Sequence, residues 1–168
     1  SPVCLGNPFA PTRRPGTIGV PFPSTWMRVV DPEEPEREVG VGERGELLIH
    51  GPQVFQGYWR NDEETAKTLL PGRWLRTGDI VHRDDEGVFR VVDRLKDIFI
   101  SGGENVAPAE VERALGLHPA VAEAAVVGVA DPVWGERGVA FVVRAEGRTL
   151  GEDELLANQP ILKRTLSV

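Results

Sequence analysis

The sequence contains a single cysteine, Cys4, and this scarcity excludes an intramolecular disulfide. One thiol fits a reducing compartment, so we expect a cytoplasmic protein. No run of 18 apolar residues occurs, and no charged-then-apolar leader is visible, so we expect neither a transmembrane segment nor a secretory signal. Basic residues are outnumbered by acidic ones, 19 Lys and Arg against 26 Asp and Glu. The net charge of −7 disfavours nonspecific binding to nucleic acid, which requires a basic surface.

Histidine is rare as well, and this bears on metal binding. His50, His82 and His118 are scattered, and no second ligand flanks them at metal-binding spacing, so we expect structural roles and no metal site. What the chain does contain is typical of a globular protein. With 168 residues, 40% of them apolar and 27% charged, it suits one or two small domains.

A charged segment, Asp93–Asp97 (DRLKD), divides the chain. A stretch this polar is poorly suited to a buried core, so we expect it between two folding units. The predicted domains are residues 1–93, rich in short strands and barrel-like, and residues 94–168, a small α+β domain. The fold class is therefore α+β.

The first part shows short strand patterns and one helix signal. Asn61 followed by Glu64 forms a capping box, which predicts a helix running to about Leu70. The predicted strands are Thr17–Val20, Trp26–Asp31, Gly45–His50, Trp74–Arg76, Ile80–His82 and Val88–Val92.

The second part alternates strands and helices. Ile98–Ile100 predicts a short strand that the paired glycines of Ser101–Gly103 interrupt. Acids from Glu104 onward and Pro108 indicate the opening of a helix. The further predicted elements are a helix at about Pro108–Leu115, strands at Val121–Val129 and Val139–Arg144, and a helix at about Glu152–Ala157.

Three ordered motifs carry a family resemblance. They are GELLIHGP at 45–52 followed by Gly57-Tyr58-Trp59, WLRTGD at 74–79, and DRLKDIFISGGEN at 93–105. Together they closely resemble the signatures of adenylate-forming enzymes, the superfamily of acyl-CoA synthetases, luciferase and the adenylation domains of peptide synthetases. The segments at 14–21 and 23–25 are most similar to fatty-acid–CoA ligases. The chain thus resembles the C-terminal third of such a ligase.

The resemblance implies a reaction for the parent protein. An acyl-CoA synthetase activates a carboxylic acid with ATP as acyl-AMP and then transfers the acyl group to CoA. It also implies ATP, CoA and Mg²⁺ as cofactors, with the magnesium site outside this chain, and a missing N-terminal domain as partner. Ser1-Pro2 looks like the residues that follow the ATP- and magnesium-contacting Thr-Glu element of the family.

Two residues are the candidate nucleotide contacts. The resemblance implies that Asp79 accepts both ribose hydroxyls, a task that suits an acceptor-only carboxylate. It also places the family's nucleotide-contacting arginine at Arg94, whose guanidinium offers forked donors. The alternatives are a turn aspartate after a strand for Asp79, and a surface salt bridge to Asp93 or Asp97 for Arg94.

The remaining candidates concern domain movement and CoA. Lys96 falls at the family's hinge position, where its role is torsional; the alternative is a solvated lysine. Gly102 and Gly103 resemble the loop that lines the pantetheine tunnel, which Glu104 would stabilise; the alternative is a plain strand-to-helix turn.

The C-terminal sequence departs from the family. Pro160 stands in the register of the lysine that stabilises charge during adenylation, and Lys163, three residues later, is not assigned that role. We therefore assign no catalytic residue and expect this chain alone to be inactive. A second function remains open: a noncatalytic remnant of the superfamily that binds a nucleotide or a protein partner.

Overall fold

The computed structural model describes residues 3–7, 13–151, 155 and 166–167. The chain divides into two compact units, Ser1–Leu95 and Lys96–Val168. The domain boundary placed after Asp93 by the sequence stays a prediction. Within the described part, every helix is too short or too polar to span a membrane.

The first unit consists mainly of antiparallel strands. Strands β1 (Leu5–Gly6) and β2 (Val20–Pro21) pair with each other. The main sheet contains β3 (Trp26–Val30), β4 (Gly45–His50), β5 (Leu69–Leu70), β6 (Trp74–Arg83) and β7 (Phe89–Arg94). Its order is β3-β4-β6-β5, and β7 also pairs with β6. Since β4 covers one edge of β6, β5 and β7 occupy the two ends of its other edge. The described strands therefore form an open sheet. This sheet belongs to the part of the chain that the sequence predicted to be barrel-like.

Alternation along the strands builds the core of this unit. Leu47 and Ile49 of β4 face the same side, because side chains of a strand alternate between the two faces. They pack there in one hydrophobic cluster with Val29, Leu75, Val81 and Phe89. The opposite face of β4 is buried too, since Glu46 is 1% and Leu48 0% exposed. β4 is thus an interior strand of the sheet that is buried on both faces.

Asn61 is confirmed as the N-cap, although its own backbone N–H donates to the Tyr58 carbonyl and not to Glu64 as in a full capping box. Helix α1 covers Asp62–Thr68, and the Asn61 Oδ1 atom accepts the Glu64 backbone N–H at 3.1 Å. The prediction of a helix to about Leu70 was two residues too long, because Leu69 and Leu70 pair with β6 as β5. The prediction of two strands at Trp74–Arg76 and Ile80–His82 was also wrong. They are one strand, β6, with an irregularity in between.

In the part that the structure describes, the second unit combines a sheet with helix α2 packed on it. The strands are β8 (Phe99–Ser101), β9 (Glu104–Val106), β10 (Val121–Asp131), β11 (Gly135–Arg144) and β12 (Leu166–Ser167), in the order β10-β11-β8-β9 with β12 parallel to β11. Helix α2 (Pro108–Gly116) buries Val111 and Leu115 against Phe99, Val126 and Ala140. This mixed arrangement agrees with the predicted α+β class.

In this unit one predicted residue lies in a different element, and one predicted helix lies mostly outside the described residues. Glu104 was expected at the opening of a helix, but it lies in β9, because the turn at Gly102-Gly103 reverses the chain into a hairpin with β8. The helix itself begins at Pro108, as predicted. The final helix predicted at Glu152–Ala157 lies outside the described residues, except that Leu155 is helical and packs in the core of the unit.

Candidate nucleotide site

The RTGD motif forms a bulge inside β6. Glu46 is the register partner of Ile80, and Leu48 is the partner of Arg76. Leu47 alone therefore stands opposite the three residues Thr77-Gly78-Asp79. Gly78 has φ +70°, a left-handed conformation that glycine adopts at little cost. Asp79 thus lies in a bulged strand, and the alternative of a turn aspartate after a strand is wrong.

The backbone of the bulge is held by specific hydrogen bonds although it leaves the regular ladder. The Thr77 hydroxyl donates to the Leu47 carbonyl at 2.9 Å and accepts the Asp79 backbone N–H at 3.0 Å. The Gly78 carbonyl accepts the Leu95 backbone N–H at 2.8 Å. Because buried backbone groups are costly when left unpaired, these bonds stabilise one conformation of the bulge.

The buried Glu46 carboxylate also contacts the bulge, and the sequence reasoning gave it no role. Its Oε2 atom accepts from Arg76 Nε at 2.9 Å and Arg76 Nη2 at 2.5 Å, while its Oε1 atom accepts the Gly78 backbone N–H at 3.1 Å. The signal in the sequence was an acid directly before the apolar run Leu47–Ile49, since a charge in a buried strand requires a partner.

Asp79 and Arg94 come together. They are register partners on β6 and β7, and Asp79 Oδ1 lies 2.9 Å from Arg94 Nε. The side chain of Asp79 is 30% exposed and that of Arg94 is 57% exposed. The structure therefore joins the two predicted nucleotide contacts in one ion pair that is accessible from solvent. The alternative for Arg94, a salt bridge to Asp93 or Asp97, did not anticipate this partner.

The surroundings of Asp79 raise the pKa of its carboxyl group. Partial burial is the main cause, because it disfavours the charged form. The positive charge of Arg94 lowers this pKa, and the negative charge of Glu46 raises it. The proton affinity of Asp79 thus depends on two neighbours of opposite charge.

Both residues of the pair line an open cleft of about 960 Å³ within the first unit. Its apolar lining includes Leu47, Ile49, Phe55, Leu75 and Val91, and its polar lining includes Asn7, Arg13, Thr17, Arg76 and Thr77. Apolar walls combined with a few charged and polar groups are typical of sites that bind small molecules.

The glycine turn lies in the second unit, where it contacts Trp134. The Gly102 backbone N–H donates to the Trp134 carbonyl at 2.9 Å. A Cβ atom on Gly102 would lie 2.8 Å from Trp134 Cε3, whereas a Cβ atom on Gly103 would meet nothing within 4 Å. Both glycines have positive φ, +59° and +85°. Gly102 is therefore required by packing, while the space at Gly103 is open.

The turn before Trp134 is fixed by Asp131. Its Oδ1 atom accepts the backbone N–H groups of Val133 and Trp134 at 2.8 and 2.9 Å. Both bonds lower the pKa of the Asp131 carboxyl, and the bond from Trp134 has the larger effect. Glu136, which follows this turn, accepts the Ile100 backbone N–H at 2.9 Å. The segment Trp134–Glu136 thus supports β8 and its glycine turn, a contact that the sequence did not indicate.

The other predicted residues occupy exposed positions. Glu104 is the register partner of Ser101 in the β8–β9 hairpin, and Lys96 lies in the turn between β7 and β8. Pro160 and Lys163 lie outside the described residues, as does Ser1-Pro2.

The described part of the chain contains no cluster of potential metal ligands. Among residues 3–7, 13–151 and 155, no three His, Cys, Asp or Glu side chains are grouped so that they could hold an ion. His50 lies between the rings of Trp26 and Trp74, at centroid distances of 5.3 and 5.4 Å.

Comparison with known proteins relates both units to one class of enzyme. The family described as AMP-binding enzyme matches residues 1–59, and the family described as AMP-binding enzyme C-terminal domain matches residues 110–163. A feruloyl-CoA synthase from Amycolatopsis sp is 50% identical over 143 residues, 84% of this chain and 28% of that protein. A long-chain-fatty-acid–CoA ligase from Bacillus subtilis (strain 168) is 45% identical over 155 residues, 92% of this chain and 27% of that protein.

A solved structure gives the same relationship. The crystal structure of ATP-bound MatB from Rhodopseudomonas palustris is 37% identical and has a TM-score of 0.88; the match covers 92% of this chain and 31% of that one. The chain spans less than a third of the length of the curated relatives described above.

Proposed function

The chain belongs to the adenylate-forming superfamily, and from this membership we propose that it is the C-terminal part of an ATP-dependent acid–CoA ligase. In the proposed reaction the parent protein joins a carboxylic acid to AMP with release of pyrophosphate, and then transfers the acyl group to CoA. We propose a fatty acid as substrate, because the segments at 14–21 and 23–25 are most similar to fatty-acid–CoA ligases. The curated relatives carry both feruloyl and long-chain fatty-acid names, so an aromatic acid is the competing substrate.

The Asp79–Arg94 ion pair is the single observation that carries this proposal. Asp79 keeps part of its carboxylate exposed at the cleft, where it can accept the two ribose hydroxyls of ATP or acyl-AMP. Arg94 uses Nε to hold Asp79, and its other guanidinium nitrogens can donate to ribose or phosphate oxygens. The pair thus supports a nucleotide site with one acceptor and one donor side by side.

The second unit would serve CoA. We propose that the glycine turn at Gly102 and Gly103 lines the path of the pantetheine arm, that Glu104 stabilises this turn, and that Lys96 is the hinge residue. The open space at Gly103 supports the first of these roles, because a thin thiol arm needs close approach to the backbone. Mg²⁺ would accompany ATP at residues of the parent outside this chain. Cytoplasmic localisation stays a prediction that rests on the single cysteine.

One observation favours a different function. Pro160 stands where the family has its adenylation lysine, and a proline offers no charge to a transition state. The second candidate is therefore a noncatalytic module that binds a nucleotide or a protein partner.

The deciding experiment supplies ATP, Mg²⁺ and CoA to the parent protein and, separately, to this chain. A fatty acid and an aromatic acid are tested in parallel, and pyrophosphate and acyl-CoA are measured. We expect turnover by the parent, a lower but measurable turnover in its Asp79→Asn variant, and none by the chain alone. Absence of turnover in the parent with both acids, together with retained AMP binding, would favour the module.

A further inference from the structure

The buried carboxylate of Glu46 fastens the bulge that carries Asp79. Glu46 is 1% exposed, so its charge requires partners within the protein. It has two kinds: the Arg76 guanidinium before the bulge and the Gly78 backbone N–H inside it. One carboxylate therefore connects two points of β6 that lie on either side of Thr77.

These contacts also hold the backbone that leads into Asp79. The Gly78 backbone is held at both ends, because its N–H donates to Glu46 and its carbonyl accepts from Leu95. Asp79 follows directly, and its own N–H is tied to the Thr77 hydroxyl. The backbone that sets the direction of the Asp79 side chain is thus fixed through Glu46 on one side and Thr77 on the other.

We propose that Glu46 is a positioning residue for nucleotide recognition, which acts through the bulge to aim the Asp79 carboxylate at the ribose hydroxyls. The inference rests on the proposed function, since it assumes that Asp79 binds ribose. Glu46 itself does not appear among the residues that line the cleft, whereas Arg76, Thr77 and Asp79 do. Its effect on a ligand is therefore indirect.

An ordinary structural role and a positioning role predict different nucleotide preferences. If Glu46 only stabilises the fold, its loss lowers activity with every nucleotide by the same factor. If it aims Asp79, its loss erases the preference for a nucleotide with both ribose hydroxyls. The comparison of ATP with 2′-deoxy-ATP separates the two roles, because the nucleotides differ by one hydroxyl.

The experiment measures kcat/KM of the adenylation half-reaction in the parent protein with each nucleotide, by pyrophosphate exchange. We expect the wild type to prefer ATP by about tenfold or more, the usual worth of a hydrogen bond to a charged group. Glu46→Gln keeps the shape of the side chain but removes its charge, and we expect its preference to fall to about that of Asp79→Asn. In the double variant Glu46→Gln/Asp79→Asn we expect no further fall in the preference for ATP, because the two residues act as one unit.

A matched control comes from the same sheet. Glu38 pairs with Arg28 of β3, but its side chain is 56% exposed, and β3 and β4 separate it from the bulge in β6. Glu38→Gln should keep the wild-type preference. Should Glu46→Gln fail to fold, Thr77→Val tests the same idea, because it removes the hydroxyl that ties the Asp79 backbone while keeping the shape of the side chain.

Two outcomes would overturn the inference, and they are distinguishable. An equal loss with both nucleotides in Glu46→Gln or Thr77→Val, with the preference retained, would show that the network supports only the fold. A wild type without preference, or an Asp79→Asn variant that keeps it, would instead overturn the ribose role of Asp79 on which the inference rests.

Discussion

Asp79 Oδ1 lies 2.9 Å from Arg94 Nε, and the two residues face each other as register partners on β6 and β7. One belongs to the RTGD motif and the other to the DRLKD segment, so antiparallel pairing of two strands joins two motifs at one point of the cleft. Each residue influences the other, because the Arg94 charge lowers the pKa that burial of Asp79 raises. A substitution of either one therefore alters both the charge and the orientation available to a ligand.

Removal of the Asp79 carboxylate should weaken nucleotide binding. In Asp79→Ala of the parent protein, the ribose hydroxyls lose a charged acceptor, and we expect a cost of about 1.5–3 kcal/mol in the affinity for ATP and acyl-adenylate. Isothermal titration calorimetry measures this change. Asp85→Ala is the control, because it removes the same charge from an exposed turn that does not line the cleft. Equal affinities in the two variants would contradict the assignment.

The pH dependence of the site should respond to its two charged neighbours in opposite directions. Loss of the Arg94 charge in Arg94→Gln removes the influence that lowers the Asp79 pKa, so this pKa should rise. Loss of the Glu46 charge in Glu46→Gln removes an influence that raises it, so the pKa should fall. Carbon-13 NMR titration of the Asp79 carboxyl measures both shifts directly.

A functional consequence follows from the same shifts. Protonated Asp79 has less capacity to accept hydrogen bonds, so nucleotide affinity should decline as the pH falls through its pKa. The decline should begin at higher pH in Arg94→Gln than in the wild type. Shifts of the two variants in the same direction would mean that a change of structure, and not the loss of charge, governs Asp79.

The buried ion pair of Glu46 should be costly to break from one side. Arg76→Met leaves the buried carboxylate without its cation, and such losses cost about 3–5 kcal/mol in the free energy of unfolding. The double variant Glu46→Gln/Arg76→Met should recover part of this stability, since no uncompensated charge remains. Urea denaturation of the wild type, Arg76→Met and Glu46→Gln/Arg76→Met measures these free energies of unfolding.

The two exposed ion pairs of Lys67 on α1 are the matched control. Lys67 contacts Glu63 at 2.7 Å and Glu64 at 2.9 Å, and all three side chains are more than half exposed. Lys67→Met should leave the denaturation midpoint nearly unchanged, because exposed pairs contribute little. A loss at Arg76 as small as the loss at Lys67 would show that water reaches Glu46.

The elements that sequence predicted well are those with a local cause. Gly45–His50 was predicted with the bounds that β4 has, because it is a compact apolar run that begins at a glycine. Asn61 was identified as a helix cap from two residues three positions apart. The errors at Leu70 and Glu104 have a common origin, since both residues pair with another strand. Pairing across a sheet is a tertiary contact that local propensity does not contain.

Prediction of the site from sequence meets the same limit, because contacts between residues distant in the chain are not visible in a local pattern. Asp79, Arg94, Gly102 and Gly103 were found as motifs, but their partners were not. Glu46 stands 33 positions before Asp79 in the numbering, and Trp134 stands 32 positions after Gly102. Only the register of β4 against β6, and the turn between β10 and β11, brings these partners into contact. Motifs therefore predict candidate ligand contacts, while the residues that pack against these candidates become visible only in the fold.

The two glycines of the turn call for different experiments. A side chain at Gly102 would collide with the Trp134 ring, so any substitution there tests packing. A side chain at Gly103 meets open space, and the only local penalty is its positive φ of +85°. Gly147 has a similar φ of +70° and also open space, but lies in another turn of the same unit. Gly147→Leu therefore reproduces the backbone strain without occupying the glycine turn.

Gly103→Leu should block transfer of the acyl group to CoA and spare adenylation. The leucine fills the space proposed for the pantetheine arm, whereas the proposed nucleotide contacts, Asp79 and Arg94, lie in the first unit. Pyrophosphate exchange in the parent protein measures the first half-reaction, and CoA transfer from preformed acyl-AMP measures the second. Gly147→Leu should leave both rates near the wild-type values. Equal losses in both half-reactions of Gly103→Leu would mean that this glycine maintains the fold and does not line the path of the thiol.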